Sequence, residues 1–213
     1  MDNIAQLCSA FDGTYAGQSM TDLFSLYLQI EGKTTEFCRS HSIACGEGCG
    51  TCCEHFMPDI TASEARLVAA YLLFVVKDLD LIERVKAFAG NSKGPCPLYR
   101  ADSPYHCSVY PARPLICRLF GACAYQDKNG NARFRRCRYN IEQTMPYSLT
   151  LEDEDVPVMQ DYSYALRALD EREGAVGYLA HQVDSMFDQL RFLSSMLGFD
   201  DSNPDDTPTP LAS

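Results

Sequence analysis

Positions Met20, Leu23, Tyr27, Ile30, Thr34 and Phe37 step by three and four, the spacing of one helical face. They predict a helix of about five turns, capped by Ser19 or Thr21. Cys38, near its end, reads as a small buried hydrophobe. Thr61 and Glu64 have capping-box spacing, and the line Ala65, Val68, Leu72, Val75 carries a helix to about Val76. The apolar run from Leu67 to Val76 is too short to cross a bilayer, so it predicts a buried helix. A shorter helix is expected from Leu79 to Ala89, stopped by Gly90. Near the C-terminus, Val176, Leu179, Val183, Met186, Leu190, Leu193 and Leu197 again step by three and four. Such a stripe packs inside a bundle or forms a dimer seam; packing within the protein is favoured.

Between these helices the pattern changes. Asn91 to Pro95 is a loop, and Cys96 to Tyr110 shows no period, so tight turns are expected. Pro111 and Pro114 suit the first turn of a short helix running to Leu119. The run Asp127-Lys128-Asn129-Gly130-Asn131 predicts a hairpin turn between Cys123-Ala124-Tyr125 and Ala132-Arg133-Phe134. Glu152 to Asp155 reads as an acidic linker, with Pro157 opening another helix. The expected fold is mainly α, with helices around a loop-rich, cysteine-ligated core and at most one short β-hairpin. Four segments are expected: an N-terminal helical part (1–44), a cysteine-cluster core (45–140), C-terminal helices packed on it (141–198) and a disordered acidic tail (199–213).

Composition sharpens this picture at one point. Hydrophobic content of 46% is that of a globular protein, so the interest lies in the eleven cysteines. Nine of them fall between Cys45 and Cys137. A secreted disulfide framework is disfavoured, because the count is odd and no signal-peptide pattern opens the chain. A cytoplasmic setting with no membrane contact is the expectation. The net charge is −11, yet Gly94 to Asn140 holds eight basic residues against two acids. That local excess offsets thiolate charge better than it explains nucleic-acid binding, which the acidic whole opposes.

Cys45-Gly-Glu-Gly-Cys49-Gly-Thr-Cys52-Cys53 places four soft sulfur donors in a glycine-rich turn, a metal-ligand pattern. Cys52 and Cys53 are adjacent, so their side chains are expected to diverge and to serve two centres. Cys96, Cys107, Cys117, Cys123 and Cys137 supply further thiols, and Cys96-Pro97 is a step found at cluster-ligating cysteines. An iron–sulfur cluster is the first choice of cofactor and zinc the second. Cys45-x3-Cys49-x2-Cys52 also has radical-SAM spacing, but Thr51 stands where an aromatic is usual and the strand–helix repeats of that barrel are missing. His55 and His106 flank cysteines and are weaker ligand candidates. No catalytic triad, paired carboxylates, P-loop or dinucleotide fingerprint is discernible.

The order Cys49-Gly50-Thr51-Cys52-Cys53, Cys96-Pro97-Leu98, Cys107-Ser108-Val109-Tyr110-Pro111-Ala112-Arg113-Pro114-Leu115-Ile116-Cys117-Arg118, then Cys137 resembles the YkgJ-type cysteine-cluster family. Those proteins are described as zinc- or iron-chelating, and flagellin lysine N-methylases are similar to them. The resemblance covers about 45 to 140, with a three-residue gap after Cys45 where two are expected. It implies metal ligands at Cys45, Cys49, Cys52, Cys53, Cys96, Cys107, Cys117 and Cys137, with Cys123 as the spare. Tyr110, Arg113 and Arg118 fall on the motif as residues supporting the centre, the arginines by neutralising charge or holding an anionic substrate group. A redox or protein-modifying, methylase-like role is implied. A zinc-stabilised module without catalysis and a metal-handling or sensing protein are the alternatives.

Overall fold

The computed structural model describes residues 2–44, 49–90, 94–102, 105–137, 148–151, 156–169 and 176–199. Cys45, the acidic stretch 152–155 and positions 200–213 of the expected tail lie outside the described residues.

The chain opens with α1 (Asp2–Ala10) and α2 (Tyr15–Ser40). Thr14, rather than Ser19 or Thr21, caps α2, its hydroxyl accepting from the Gly17 amide at 3.0 Å. The predicted stripe is the buried face of α2: Met20, Leu23, Tyr27, Ile30, Thr34 and Phe37. α3 (Thr51–Glu54) is one turn, followed by β1 (Asp59–Ile60) and α4 (Ala62–Tyr71). α4 has the predicted capping box: Glu64 accepts from the Thr61 amide at 2.8 Å, and the Thr61 hydroxyl accepts from the Glu64 amide. The helix widens to a π-turn over Leu72–Val76 and stops at Lys77, which sits in the left-handed region. α5 (Leu79–Phe88) follows, capped by Asp78.

The predicted helix from Pro111 to Leu119 is two pieces. A 3₁₀ turn covers Tyr110–Ala112, and α6 spans Leu115–Leu119. Arg113 between them is extended (ψ 143°), because the ring of Pro114 excludes the helical conformation from the residue before it. The predicted hairpin is present as β2 (Tyr125–Gln126) and β3 (Ala132–Arg135). A third antiparallel strand, β4 (Ser148–Leu151), extends it beyond a hairpin. Next come α7 (Met159–Leu169), β5 (Gly177–Tyr178) and α8 (Leu179–Leu197). Val176 thus precedes the last helix instead of belonging to it, and is exposed.

The molecule is mainly helical. α8 lies against α4 and α5, while α2 covers α4 and α1 packs on α2. The α8 stripe is buried here at Leu179, Val183, Met186 and Leu190, so it packs within the protein. Phe11, Phe74 and Phe199 meet edge to face with centroids 5.1–5.5 Å apart, which anchors the end of α8 to α1. Among the described residues no helix is long and apolar enough to cross a membrane.

Two features aim this scaffold at the cysteine loops. β1 pairs with β5, and the Leu179 amide donates to the Pro58 carbonyl at 2.9 Å, fixing the loop after α3 to the start of α8. Glu64, fully buried, uses Oε1 to accept from the Tyr27 hydroxyl at 3.0 Å and from the Leu115 amide at 2.6 Å. One carboxylate thereby joins α2, α4 and α6.

Candidate metal centre

The stretches around Cys96 and Cys107 lack regular structure, so backbone hydrogen bonds between loops hold them together. The Cys96 amide donates to the Cys53 carbonyl at 3.0 Å. Residues 96–100 then pair with 106–108: the Ser108 amide donates to Leu98, the Arg100 amide to His106, and Tyr99 bridges Cys107. Gly50 rests against His106, where any Cβ on residue 50 would collide with the histidine Cβ. His106, itself left-handed, donates from Nδ1 to the Arg100 carbonyl at 3.1 Å and is stacked on Tyr99. Its role is to join loops. The Tyr99 hydroxyl donates to Glu54 at 2.6 Å, tying the same strand to α3.

These ties place Cys49, Cys52, Cys53, Cys96, Cys107 and Cys117 around one cleft, with about 80 Å³ of room for water-sized occupants. Phe56, Leu98, Tyr105, Tyr110 and Phe120 complete largely apolar walls. The ten described cysteines are all free thiols. The Cys52 and Cys53 sulfurs lie 4.0 Å apart and line the same cleft, which corrects the expectation that neighbours diverge. A single helical turn leaves both χ1 angles free to turn the sulfurs together. That separation is close to the about 3.8 Å between two thiolates on a tetrahedral ion with 2.3 Å bonds. Among the described residues, no three His, Cys, Asp or Glu side chains converge closely enough to hold one ion. The sulfurs rim the cleft.

Burial sets the electrostatics. It pushes the Cys96 thiol up to about 12, and Cys107 and Cys117 are raised for the same reason. Arg113 opposes the shift at both Cys107 and Cys117, its positive charge favouring the thiolate. The Cys52 thiol is raised chiefly by its contact with Cys53. Buried sulfurs of this kind stay neutral in isolation, and a metal cation is what stabilises them as thiolates. The donor set therefore fits a thiophilic metal.

The two motif arginines part company. Arg113 lines the cleft, its guanidinium 4.0 Å above the Tyr110 ring, which stacks in turn on Tyr105. Its Nε is buried with no hydrogen-bond partner among the described residues. Arg118 turns away. It lies 4.1 Å over the Tyr27 ring, donates to the carbonyls of Arg113 and Pro111, and nears Glu31 at 3.9 Å. It is a buried strut that holds the broken helix against α2.

Cys137 stands apart from the six. It lines a neighbouring cleft of about 460 Å³ with Cys123, His55, Arg135 and Arg136, and that cleft shares Cys52, Phe56 and Phe120 with the first. Cys123 is in the apolar core, its thiol pushed up to about 12 by burial and directed at the Leu119 carbonyl. His55 is exposed and lies 3.9 Å from Glu54. Cys38 is half-buried beside Phe37, Ile43 and Phe134. The contribution of Glu64 went unread in the sequence beyond its capping spacing, because its partners are 37 and 51 residues away.

No curated protein and no solved structure matches the chain. A family model, CxxCxxCC, described as "Putative zinc- or iron-chelating domain", matches residues 44–138. The match spans every loop that contributes a sulfur to the cleft, together with Cys137. Over residues 44–138, a little under half of the chain, the protein is thus similar to this zinc- or iron-chelating cysteine-cluster family, whose motif the sequence displays.

Proposed function

We propose that the protein carries a polynuclear thiolate centre in the cleft, an iron–sulfur cluster in first place, with Cys49, Cys52, Cys53, Cys96, Cys107 and Cys117 as its sulfur donors. One observation carries this reading: six free thiols from four separate stretches line a single cleft. Six donors exceed the four of a mononuclear zinc site, and their spread around the rim suits a cluster better than one ion. Cys137, across the shared Cys52 wall, is available to a second centre or to an edge of the first.

An acting centre is favoured over one that only stabilises the fold. The cleft is rimmed by exposed Phe56, Tyr105 and Phe120, an apolar entrance that a buried structural metal does not need. This fits a redox or protein-modifying role of the kind the methylase resemblance implies. The test is elemental analysis of anaerobically purified full-length protein with its visible spectrum. Iron with acid-labile sulfide and a brown colour are expected. Colourless protein with stoichiometric zinc would replace the cluster by a zinc–thiolate centre, and protein that takes up neither metal would refute both.

A further inference from the structure

We infer that Arg113 is the positioning residue of this centre, its buried Nε–H donating to a sulfur in the cleft. The inference rests on the thiolate reading above and assigns a task that no other described side chain on the cleft wall performs. Two observations and one energetic cost carry it. Arg113 is the arginine that lines the cleft beside the six thiols. Its Nε is buried and lacks a hydrogen-bond partner among the described residues. A guanidinium donor removed from water and left unmade is costly, so the arrangement is accounted for by an acceptor in the cleft.

The backbone and the rings around it fix where that donor goes. Pro114 keeps Arg113 extended, taking its side chain out of the helical path that α6 begins. Arg118 Nε grips the Arg113 carbonyl at 2.9 Å from behind. The Tyr105–Tyr110 stack, with rings 4.2 Å apart, supports the guanidinium from one face. A cation held on a largely apolar wall is screened less than one on the open surface. Sulfur is the matching acceptor: several thiolates on one metal centre concentrate negative charge that the protein must offset. Arg118, with its own carbonyl and Tyr27 partners, does not compete for this role.

The experiment compares parent protein, R113Q, R113K and R39Q, each purified anaerobically with its native metal. Arg39 pairs with Glu36 on the exposed side of α2, so R39Q removes an equal charge far from the cleft. Metal affinity is measured by competition with a coloured chelator, alongside the unfolding midpoint of each metal-free protein. R113Q is expected to lose 10- to 100-fold in affinity, roughly the cost of removing an outer partner of a metal ligand. Its metal-free midpoint should match that of the parent, which a merely structural residue would not allow. R113K should recover part of the loss, since it keeps the charge but not the guanidinium fork, and R39Q should be neutral. R113Q or R113K binding metal within twofold of the parent overturns the inference while leaving the thiolate centre standing. Should R113Q not fold, R113K alone decides by the same criterion. A parent that binds no metal sinks the underlying reading instead.

Discussion

The helical shell and the cysteine segment are stabilised in opposite ways. In the shell, α2, α4 and α8 bury continuous apolar faces, and the deeply buried carboxylate of Glu64 accepts from three donors. Burial is complete and polar groups are matched, so this half needs only its own side chains. In the cysteine segment, loops are stitched by isolated backbone bonds around mostly half-buried cysteines and an arginine Nε with no partner among the described residues. On the proposed reading, that half is completed by a metal that accepts electron pairs from sulfur. The contrast teaches that one chain can combine a scaffold folded by the hydrophobic effect with a site folded by coordination.

Metal removal should separate the two halves most sharply. At metal a thousandfold above its Kd, the loaded protein gains about 4 kcal/mol over the stripped one. Stripping with a chelator should therefore expose 49–54, 94–102 and 105–120 to proteolysis while the helical circular dichroism of the shell persists. A single cooperative collapse of both halves would break the comparison.

Glu64→Ala strikes the joint between them. It leaves the Tyr27 hydroxyl and the Leu115 and Thr61 amides without their buried acceptor, which should cost on the order of 3 kcal/mol. Urea denaturation measures it. A loss below about 1 kcal/mol would mean that solvent or a shifted side chain replaces the carboxylate.

Gly50→Ala targets the site alone. The new Cβ collides with His106 and forces the Cys49–Cys53 turn away from the Cys107 loop. Metal affinity should fall by more than about tenfold while shell stability is retained. Equal affinity in the variant would show that this close approach does not shape the cleft.

A change of pH tests the shell alone. Burial raises Cys8 from its ordinary value of 9.0 to about 11. A thiol raised on folding gives stability that is complete below pH 9 and is lost as pH climbs through about 11. The stability gap between parent and Cys8→Ala, measured on reduced protein, should narrow by roughly 2 kcal/mol across that window. A constant gap would mean that Cys8 reaches water.

Legibility in the sequence follows the same division. α2, α4 with its capping box, and α8 announce themselves, because a long amphipathic stripe is a local record of burial. α1 bears the same signal in Ile4, Leu7 and Cys8, but it is short and is not set apart within the expected N-terminal helical part, 1–44. The break at Arg113 was written in Pro114, whose effect on the preceding residue outweighs its suitability for a first helical turn. β4 is a four-residue strand whose partner lies across a long connection, so no local pattern marks it. The cleft was half legible: cysteine spacing named the donors, but grouping six of them, setting Cys137 beside another wall and splitting the roles of Arg113 and Arg118 all depend on contacts far apart in the chain.

The most direct test of the central claim is X-ray absorption at the edge of the metal bound to the anaerobically purified full chain. The account predicts a nearest shell made of sulfur, with a second metal visible beyond it, and loss of both in a Cys96→Ser, Cys117→Ser variant. A shell of nitrogen and oxygen, or an unaltered spectrum in that variant, would contradict it.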